Sequence, residues 1–170
     1  MHYPVRSSSR IALAASAVAL LVLAGCASQV PLDGKSAPVS AAEAAAQAQA
    51  SRIAAAKAEL AKVKPSVYFD FDKFDIKPES QATITAFSNY MKVDGNARLV
   101  IEGNADERGT TEYNLALGQK RSEAVKKALG VLGAPVNRIE AISNGEEKPR
   151  AKGSTEGAWA ENRHADLIVK

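Results

Sequence analysis

The sequence is poor in the side chains on which most enzymes and metal sites depend. It has one cysteine and two histidines in 170 residues, and aromatic residues make up only 5% of it. It contains no Walker-type phosphate loop, no HExxH, no paired CxxC and no GxSxG. Nucleophile–base pairs and zinc sites therefore lack their usual residues, and we expect no enzyme activity, no metal and no cofactor.

An acidic cluster, formed by Asp70, Asp72 and Asp75, is the one place that suggests calcium. Phe71 and Phe74 interrupt the cluster, and the loop glycine that an EF-hand needs does not follow it. We interpret these carboxylates as the solvated edge of a strand.

Residues 1–25 have the pattern of a secretory signal. Arg6 and Arg10 precede an uncharged apolar run over residues 11–25. A transmembrane helix is the alternative, but it needs about 20 apolar residues, more than this run has before Cys26. Removing the two arginines leaves 20 basic residues against 19 acidic ones, so the charge gives no argument for nucleic acid as a partner.

The signal ends in the sequence LAGC at 23–26, which resembles the lipobox of bacterial lipoproteins. Small residues there admit the peptidase, and the thiol of Cys26 accepts diacylglycerol; the alternative is an ordinary apolar cysteine. Because Cys26 is the only cysteine, no internal disulfide can form. Ala27 follows it in place of the aspartate that retains enteric lipoproteins in the inner membrane. We therefore expect a lipid anchor in the outer membrane, with the rest of the chain facing the periplasm.

Two segments separate the lipobox from the remaining chain. Residues 26–39 are rich in Pro, Gly and Ser and are predicted to be a flexible, lipidated tether. Ser40 and Glu43 fit a capping box, which opens an alanine-rich helix predicted over residues 40–64. The large apolar residues of this stretch are few: Ile53, Leu60 and Val63. We therefore predict an exposed spacer helix that buries little surface.

Residues 65–170 are enough for one compact core. Alternating apolar residues predict strands, and helical periodicity predicts helices between them. The predicted elements are a strand over 67–71, a helix opened by Pro78, a strand over 98–102, a helix over 111–132, a strand over 138–143, a short helical piece around Trp159 and a strand over 165–169. This order predicts an α/β sandwich with one sheet.

Arg121 is the anomaly of the longest predicted helix in this domain. At about 100° per residue, it lies about 40° from Val125, inside the apolar stripe that faces the core. An unpaired charge there would cost several kcal/mol, so we expect an acidic group to meet it. Asp106, in the glycine-flanked loop before the helix, is the nearest candidate. Either the two form a self-satisfied ion pair, or both face a cleft and share a zwitterionic ligand.

Five segments carry a family resemblance: VYFDFDKFD at 67–75, IEGNADERGTTEYN at 101–114, LALGQKRSEAV at 115–125, ISNGEEKP at 142–149 and WAENRHA at 159–165. In order and spacing they resemble the OmpA-like peptidoglycan-binding domain, and more closely the peptidoglycan-associated lipoproteins of the Tol system. The resemblance covers about residues 66–169. It implies a two-layer sandwich in which one mixed four-stranded sheet packs against helices.

The resemblance also implies a ligand, the diaminopimelate side chain of an uncrosslinked peptidoglycan stem peptide. In the family, an aspartate of the G-x-x-D loop binds the ammonium group, and an arginine of N-x-x-L-x-x-x-R binds the carboxylate bidentately. The matching positions here are Asp106 and Arg121. The resemblance assigns further residues to the pocket or its border: Asn114, Leu115, Leu117, Phe71 and Asp72.

The implied role is to link the outer membrane to the cell wall with TolB and other Tol-system proteins, supporting envelope integrity and cell division. An OmpA-like lipoprotein with the same ligand but no Tol partner is the alternative. A peptidoglycan-cleaving lipoprotein is disfavoured by the missing catalytic residues. The chain departs from the family motifs at Asn104, where many members have histidine, at Asn144, which replaces an aromatic residue, and at His164, which replaces an arginine.

Changing Cys26 to Ala should abolish lipidation and membrane attachment, because one acyl chain holds a protein marginally and several hold it firmly. Cell fractionation and immunoblotting compare this variant with wild type and with a Ser36→Ala control in the tether. Wild-type protein released freely from the periplasm by gentle osmotic shock would refute the lipid anchor.

Overall fold

The computed structural model describes residues 40–170. The predicted signal at 1–25, the tether at 26–39 and the lipidation site Cys26 lie outside these described residues. The helices and strands are α1 Ala41–Leu60, β1 Ser66–Tyr68, α2 Gln81–Val93, β2 Leu99–Asn104, α3 Thr111–Val131, β3 Ile139–Gly145, α4 Glu156–Asn162 and β4 His164–Val169, with short 3₁₀ turns at Pro78–Ser80 and Val136–Arg138.

The four strands form one mixed sheet in the order β1-β4-β2-β3. β2 and β3 are parallel, and β4 runs antiparallel to both β1 and β2. Alternate strand residues meet α2 and α3 in a single apolar core; its members include Val67, Leu99, Ile101, Leu167, Ile84, Met91, Val125 and Leu129. The predicted order of elements and the two-layer mixed sandwich are confirmed.

Helix α1 is not a free spacer. The capping box predicted at its start is present, with Glu43 N donating to Ser40 Oγ and Ser40 N donating to Glu43 Oε2. None of its residues is fully buried, but its second half packs on the core through half-buried apolar side chains: Ile53, Ala56 and Leu60, followed by Val63. The expected exposed helix is therefore wrong for this half, since these few side chains are enough to dock it. Within residues 40–170, no helix has the length and apolar character needed to cross a membrane.

The first strand is shorter than its alternating pattern predicted. It ends at Tyr68, and Phe71 is 55% exposed rather than buried. Beyond the strand the chain turns sharply, because Asp72 has a φ of 58°, a left-handed conformation that aspartate tolerates better than most residues. The apolar–polar alternation therefore continues past the strand into a loop that lies over α3.

Two glycines let α3 lie against the sheet at backbone distance. A Cβ on Gly103 of β2 would strike the carbonyl of Gly118 on α3, and a Cβ on Gly118 would strike the Ser143 hydroxyl of β3 and the Gly103 carbonyl. Because α3 carries Arg121 one turn further on, this close packing fixes the depth at which the guanidinium enters the core.

Changing Gly118 to Ala should destabilise the protein by about 1–3 kcal/mol, because the added methyl overpacks the helix–sheet contact. The direction of the stability change distinguishes the two cases, since Gly→Ala in a helix interior normally stabilises a protein by about 0.5–1 kcal/mol. Gly157→Ala in α4 is the matched control, as its Cβ would meet no atom within 4 Å. Urea unfolding measures both variants, and equal stability of the two would contradict the close approach.

Candidate functional site

Arg121 is fully buried and is held by the main chain. Its Nε donates to the carbonyl of Lys73 (2.9 Å), Nη1 to that of Asn104 (2.8 Å) and Nη2 to that of Asp70 (3.1 Å). Burial lowers the pKa of Arg121 to about 10, although the negative charge of Asp106 acts to raise it. The group therefore stays cationic at neutral pH. The Phe69 ring lies 5.3 Å from the guanidinium carbon.

No carboxylate within residues 40–170 pairs with this guanidinium, since Arg121 forms no salt bridge there. The expected acidic partner is therefore wrong, and three carbonyl dipoles take its place. A guanidinium has five N–H donors. One on each nitrogen is engaged, so one N–H on each Nη atom remains for a further acceptor.

Asp106 pairs with two other arginines. It accepts from Arg108 Nε (3.0 Å) and Nη2 (2.7 Å), from the Arg108 amide (3.1 Å), and from Arg163 Nη1 (3.3 Å). Burial alone would raise the pKa of Asp106, but the hydrogen bonds from Arg108 and Arg163 hold that pKa below its ordinary value. The self-satisfied Asp106–Arg121 ion pair, which the sequence left open, is not the arrangement that forms.

The Arg108 side chain lies between two aromatic rings. Its guanidinium carbon is 4.1 Å from the ring centroid of Phe71 and 4.1 Å from that of Trp159. Both distances suit cation–π contact. Arg108 is thus a cation already seated on the Asp106 carboxylate, clamped by aromatic rings and half exposed to solvent.

These groups line a cavity of about 240 Å³. All six residues predicted for the ligand site border it: Phe71, Asp72, Asp106, Asn114, Leu117 and Arg121. Arg108, Gly109 and Tyr113 also line it, although the sequence had marked them only as part of a matching loop. Leu115 does not line it; its carbonyl accepts from Ser143 Oγ instead and ties α3 to β3.

Two side-chain hydrogen bonds close the rim of the cavity. The Tyr113 hydroxyl donates to Asp72 Oδ1, which links α3 to the loop after β1. Asn114 Nδ2 donates to Glu146 Oε2, which links α3 to the loop after β3. Glu146 was missed as a site residue, and only its place in the matching segment at 142–149 could have pointed to it.

A larger groove of about 600 Å³ lies between α2 and α3. Its floor is apolar, with Ile84, Ala128 and Leu132, and its rim carries solvent-reaching lysines and acids. It has no buried charge, whereas the smaller cavity brings a buried carboxylate and a buried guanidinium together. Converging buried charges mark a binding site better than volume does, so the smaller cavity is the candidate site.

Changing Arg121 to Leu should destabilise the fold by about 1–3 kcal/mol or more, because three carbonyls lose their donor. Lys120→Leu is the matched control: it is the same change one residue earlier, on an exposed position of α3. Thermal unfolding compares the two, and an Arg121→Leu variant as stable as the control would show that the carbonyl contacts contribute nothing.

Three comparisons place the chain among known proteins. The OmpA family model matches residues 68–163. The peptidoglycan-associated lipoprotein of Pseudomonas putida is 45% identical over 100 residues, which is 59% of this chain and 60% of that protein. That of Brucella melitensis is 34% identical over 165 residues, 97% of this chain and 95% of that protein.

A solved structure agrees with these relatives. The crystal structure of the peptidoglycan-associated lipoprotein from Burkholderia pseudomallei is 50% identical, with a TM-score of 0.62, and the match covers 63% of this chain and 91% of that one. The family match at residues 68–163 contains every residue that lines the cavity. The chain therefore belongs to the OmpA family and, within it, to the peptidoglycan-associated lipoproteins.

Proposed function

We propose that this chain is a lipoprotein of the outer membrane that binds peptidoglycan without a covalent bond and links that membrane to the cell wall. The buried guanidinium of Arg121 carries the proposal. It keeps its charge at the wall of the cavity, where three main-chain carbonyls accept from it and no carboxylate forms a salt bridge with it. A buried charge that is not directly paired is costly, so a ligand carboxylate is the group that this guanidinium favours.

The ligand that we propose is the diaminopimelate end of an uncrosslinked stem peptide. That end carries an ammonium and a carboxylate on one carbon, so the two charges are a fixed short distance apart. Arg121 offers the carboxylate one N–H from each Nη atom, and Asp106 offers the ammonium its carboxylate. Binding at Asp106 requires the ammonium to share that carboxylate with Arg108 or to displace it.

The cavity holds none of the pairs that hydrolysis of peptidoglycan would need. It has no histidine, cysteine or serine among its lining residues, and both of its carboxylates are engaged, Asp106 by two arginines and Asp72 by the Tyr113 hydroxyl. Recognition without cleavage is therefore the proposed activity.

We further propose that TolB and other Tol-system proteins are its partners, and that this assembly supports envelope integrity and cell division. The loop from Asp106 through Tyr113 to Asn114 supports the idea. It matches the family motif, and its exposed residues Gly109 and Tyr113 line the cavity and form its mouth. An OmpA-like lipoprotein with the same ligand but no Tol partner remains the alternative.

Changing Asp106 to Asn should weaken binding to isolated sacculi about ten- to a hundredfold, the size expected when a charged hydrogen bond is lost. The amide keeps the shape of the side chain and an acceptor for Arg108. Asp75→Asn is the control, since it makes the same change on an exposed residue outside the cavity. Co-sedimentation with sacculi gives the affinities. Normal binding by a folded Asp106→Asn variant would exclude Asp106 as the ammonium site.

Trp159 offers a direct readout of ligand entry, because it is the only tryptophan and its ring stacks on Arg108. A tripeptide ending in meso-diaminopimelate should change the Trp159 emission if it moves Arg108 from Asp106. The same peptide, amidated at the carboxylate that shares a carbon with the free ammonium of diaminopimelate, should act only at much higher concentration, since Arg121 then loses its proposed partner. Equal effects of both peptides would count against the role of Arg121.

TolB should bind the purified chain, and sacculi should compete with it, because both are proposed to use the mouth of the cavity. Pull-down from envelope extracts, with and without added peptidoglycan fragments, measures the competition. Recovery of peptidoglycan but never of TolB would favour the alternative without a Tol partner.

A further inference from the structure

Three side chains form a polar network behind the cavity, on the sheet face opposite α3. Asn144 Nδ2 donates to Asn104 Oδ1 (3.1 Å), and Asn104 Nδ2 lies 3.1 Å from His164 Nε2. Asn104 and His164 are only 3% and 2% exposed. The network reaches the cavity directly, because the main-chain carbonyl of Asn104 is the one that accepts from Arg121 Nη1.

The Glu102 carboxylate, at one end of this network, determines which atom donates and which accepts in each of its hydrogen bonds. The Glu102 carboxylate can only accept, and it accepts from Asn144 Nδ2 (2.8 Å). The same amide nitrogen also donates to Asn104 Oδ1, so Asn104 must turn its Nδ2 toward His164. A second bond agrees with this orientation, since Asn104 Nδ2 also donates to the carbonyl of Glu102 (3.0 Å). His164 Nε2 therefore faces an N–H donor. Flipping the Asn104 amide would break its hydrogen bonds with Asn144 and with the carbonyl of Glu102.

His164 Nε2 also faces an acceptor. Asp166 Oδ2 lies 3.3 Å from it, while His164 Nδ1 lies 2.9 Å from the carbonyl of Glu161. In the neutral ring, Nδ1–H donates to Glu161, and the bare Nε2 accepts from Asn104. In the protonated ring, Nε2–H donates to Asp166 and meets the N–H of Asn104 head on. Each protonation state can satisfy only one of the two contacts at Nε2.

The contacts of Asp166 leave one of its carboxylate oxygens free to accept a hydrogen bond from the protonated His164 ring. Asp166 Oδ1 is taken by Arg150 Nη2 (2.6 Å) and Ser66 Oγ (2.7 Å), so Oδ2 is the oxygen that faces the ring. Burial alone would raise the pKa of Asp166, but its contacts with His164, Ser66 and Arg150 hold that pKa below its ordinary value. Two titratable groups face the ring directly: Tyr68 on β1, with ring centroids 6.1 Å apart, and Asp166 on β4. The other charged groups lie behind these or behind the Asn residues: Arg150 before α4 and Glu161 on α4 contact the Tyr68 hydroxyl, and Glu102 on β2 contacts Asn144.

We propose that His164 is a positioning residue for Arg121, and that its protonation loosens the binding site. The neutral ring holds the Asn104 amide, and with it the carbonyl that orients Arg121. In the protonated ring, Nε2–H donates to Asp166 instead and repels the side-chain N–H of Asn104. Asn104 then moves, and with it the main-chain carbonyl that accepts from Arg121. The inference rests on the proposed function of the cavity. It adds that ligand binding weakens when the His164 ring takes up a proton, because the protonated ring can no longer accept from Asn104.

The test is a pH profile of binding with the full chain purified from membranes in detergent. The probe is the tripeptide ending in meso-diaminopimelate. Its carboxylates stay ionised between pH 7.5 and 5.5, and its amines only gain protons as the pH falls, which would strengthen rather than weaken binding at Asp106. Wild type should bind about three- to tenfold more weakly at pH 5.5, the loss expected for one ordinary hydrogen bond. His164→Gln should have equal affinities at the two pH values, because its amide oxygen accepts from Asn104 and takes up no proton.

Asp166→Asn supplies an independent arm, since it removes the carboxylate that stabilises the protonated ring. Its loss of binding should move to lower pH than that of wild type. ¹⁵N NMR of the imidazole, in a chain with only two histidines, should show Nε2 without a proton at pH 7.5. This measurement decides the matter even if the His164→Gln variant fails to fold.

Three results would overturn the inference: a flat wild-type profile, a His164→Gln profile as steep as that of wild type, or a protonated Nε2 at pH 7.5. In each of these cases, binding at pH 7.5 leaves the proposed function intact. Failure of wild type to bind the tripeptide at either pH contradicts the proposed function itself.

Discussion

The structure depends on how one buried guanidinium is held. Arg121 joins α3 to the loop after β1, through the carbonyls of Asp70 and Lys73, and to the end of β2, through that of Asn104. Burying the charge costs several kcal/mol, and three hydrogen bonds of about 1.5–3 kcal/mol each offset that cost. The same contacts that close the core also place the cation on the wall of the cavity. Fold and site therefore share a single anchoring group.

The position of Arg121 in the core could be predicted from the sequence, because helical periodicity depends only on residues close together in the chain. A cation inside the apolar stripe around Val125 and Leu129 is visible in any helical projection, and both of those residues are fully buried. Its partners were not predictable in the same way. Every residue has a carbonyl, so no residue type marks the three that turn toward Arg121. The expected carboxylate was wrong because main-chain acceptors satisfy the guanidinium, and a pattern of side chains does not reveal them.

Long-range pairing explains the other differences between expectation and structure. Asp106 has several arginines within reach of its loop, and only the fold decides that Arg108 and Arg163 meet it. Likewise, α1 docks through three or four modest side chains whose partners lie on a distant surface. Local signals did better: the capping box at Ser40 and the order of strands and helices follow from patterns a few residues long.

The charge balance of the cavity sets different tasks for the two ends of the proposed ligand. Arg121 has spare N–H donors and no carboxylate partner, so a ligand carboxylate meets no internal competitor there. Asp106 is already bound by Arg108 and Arg163, so a ligand ammonium must compete with a guanidinium held between two rings. The carboxylate end should thus supply most of the affinity. The ammonium end supplies discrimination, because only a cation placed well enough to replace Arg108 gains from Asp106. A ligand with a carboxylate alone would leave Arg108 in place on Asp106 and would bind through Arg121 only.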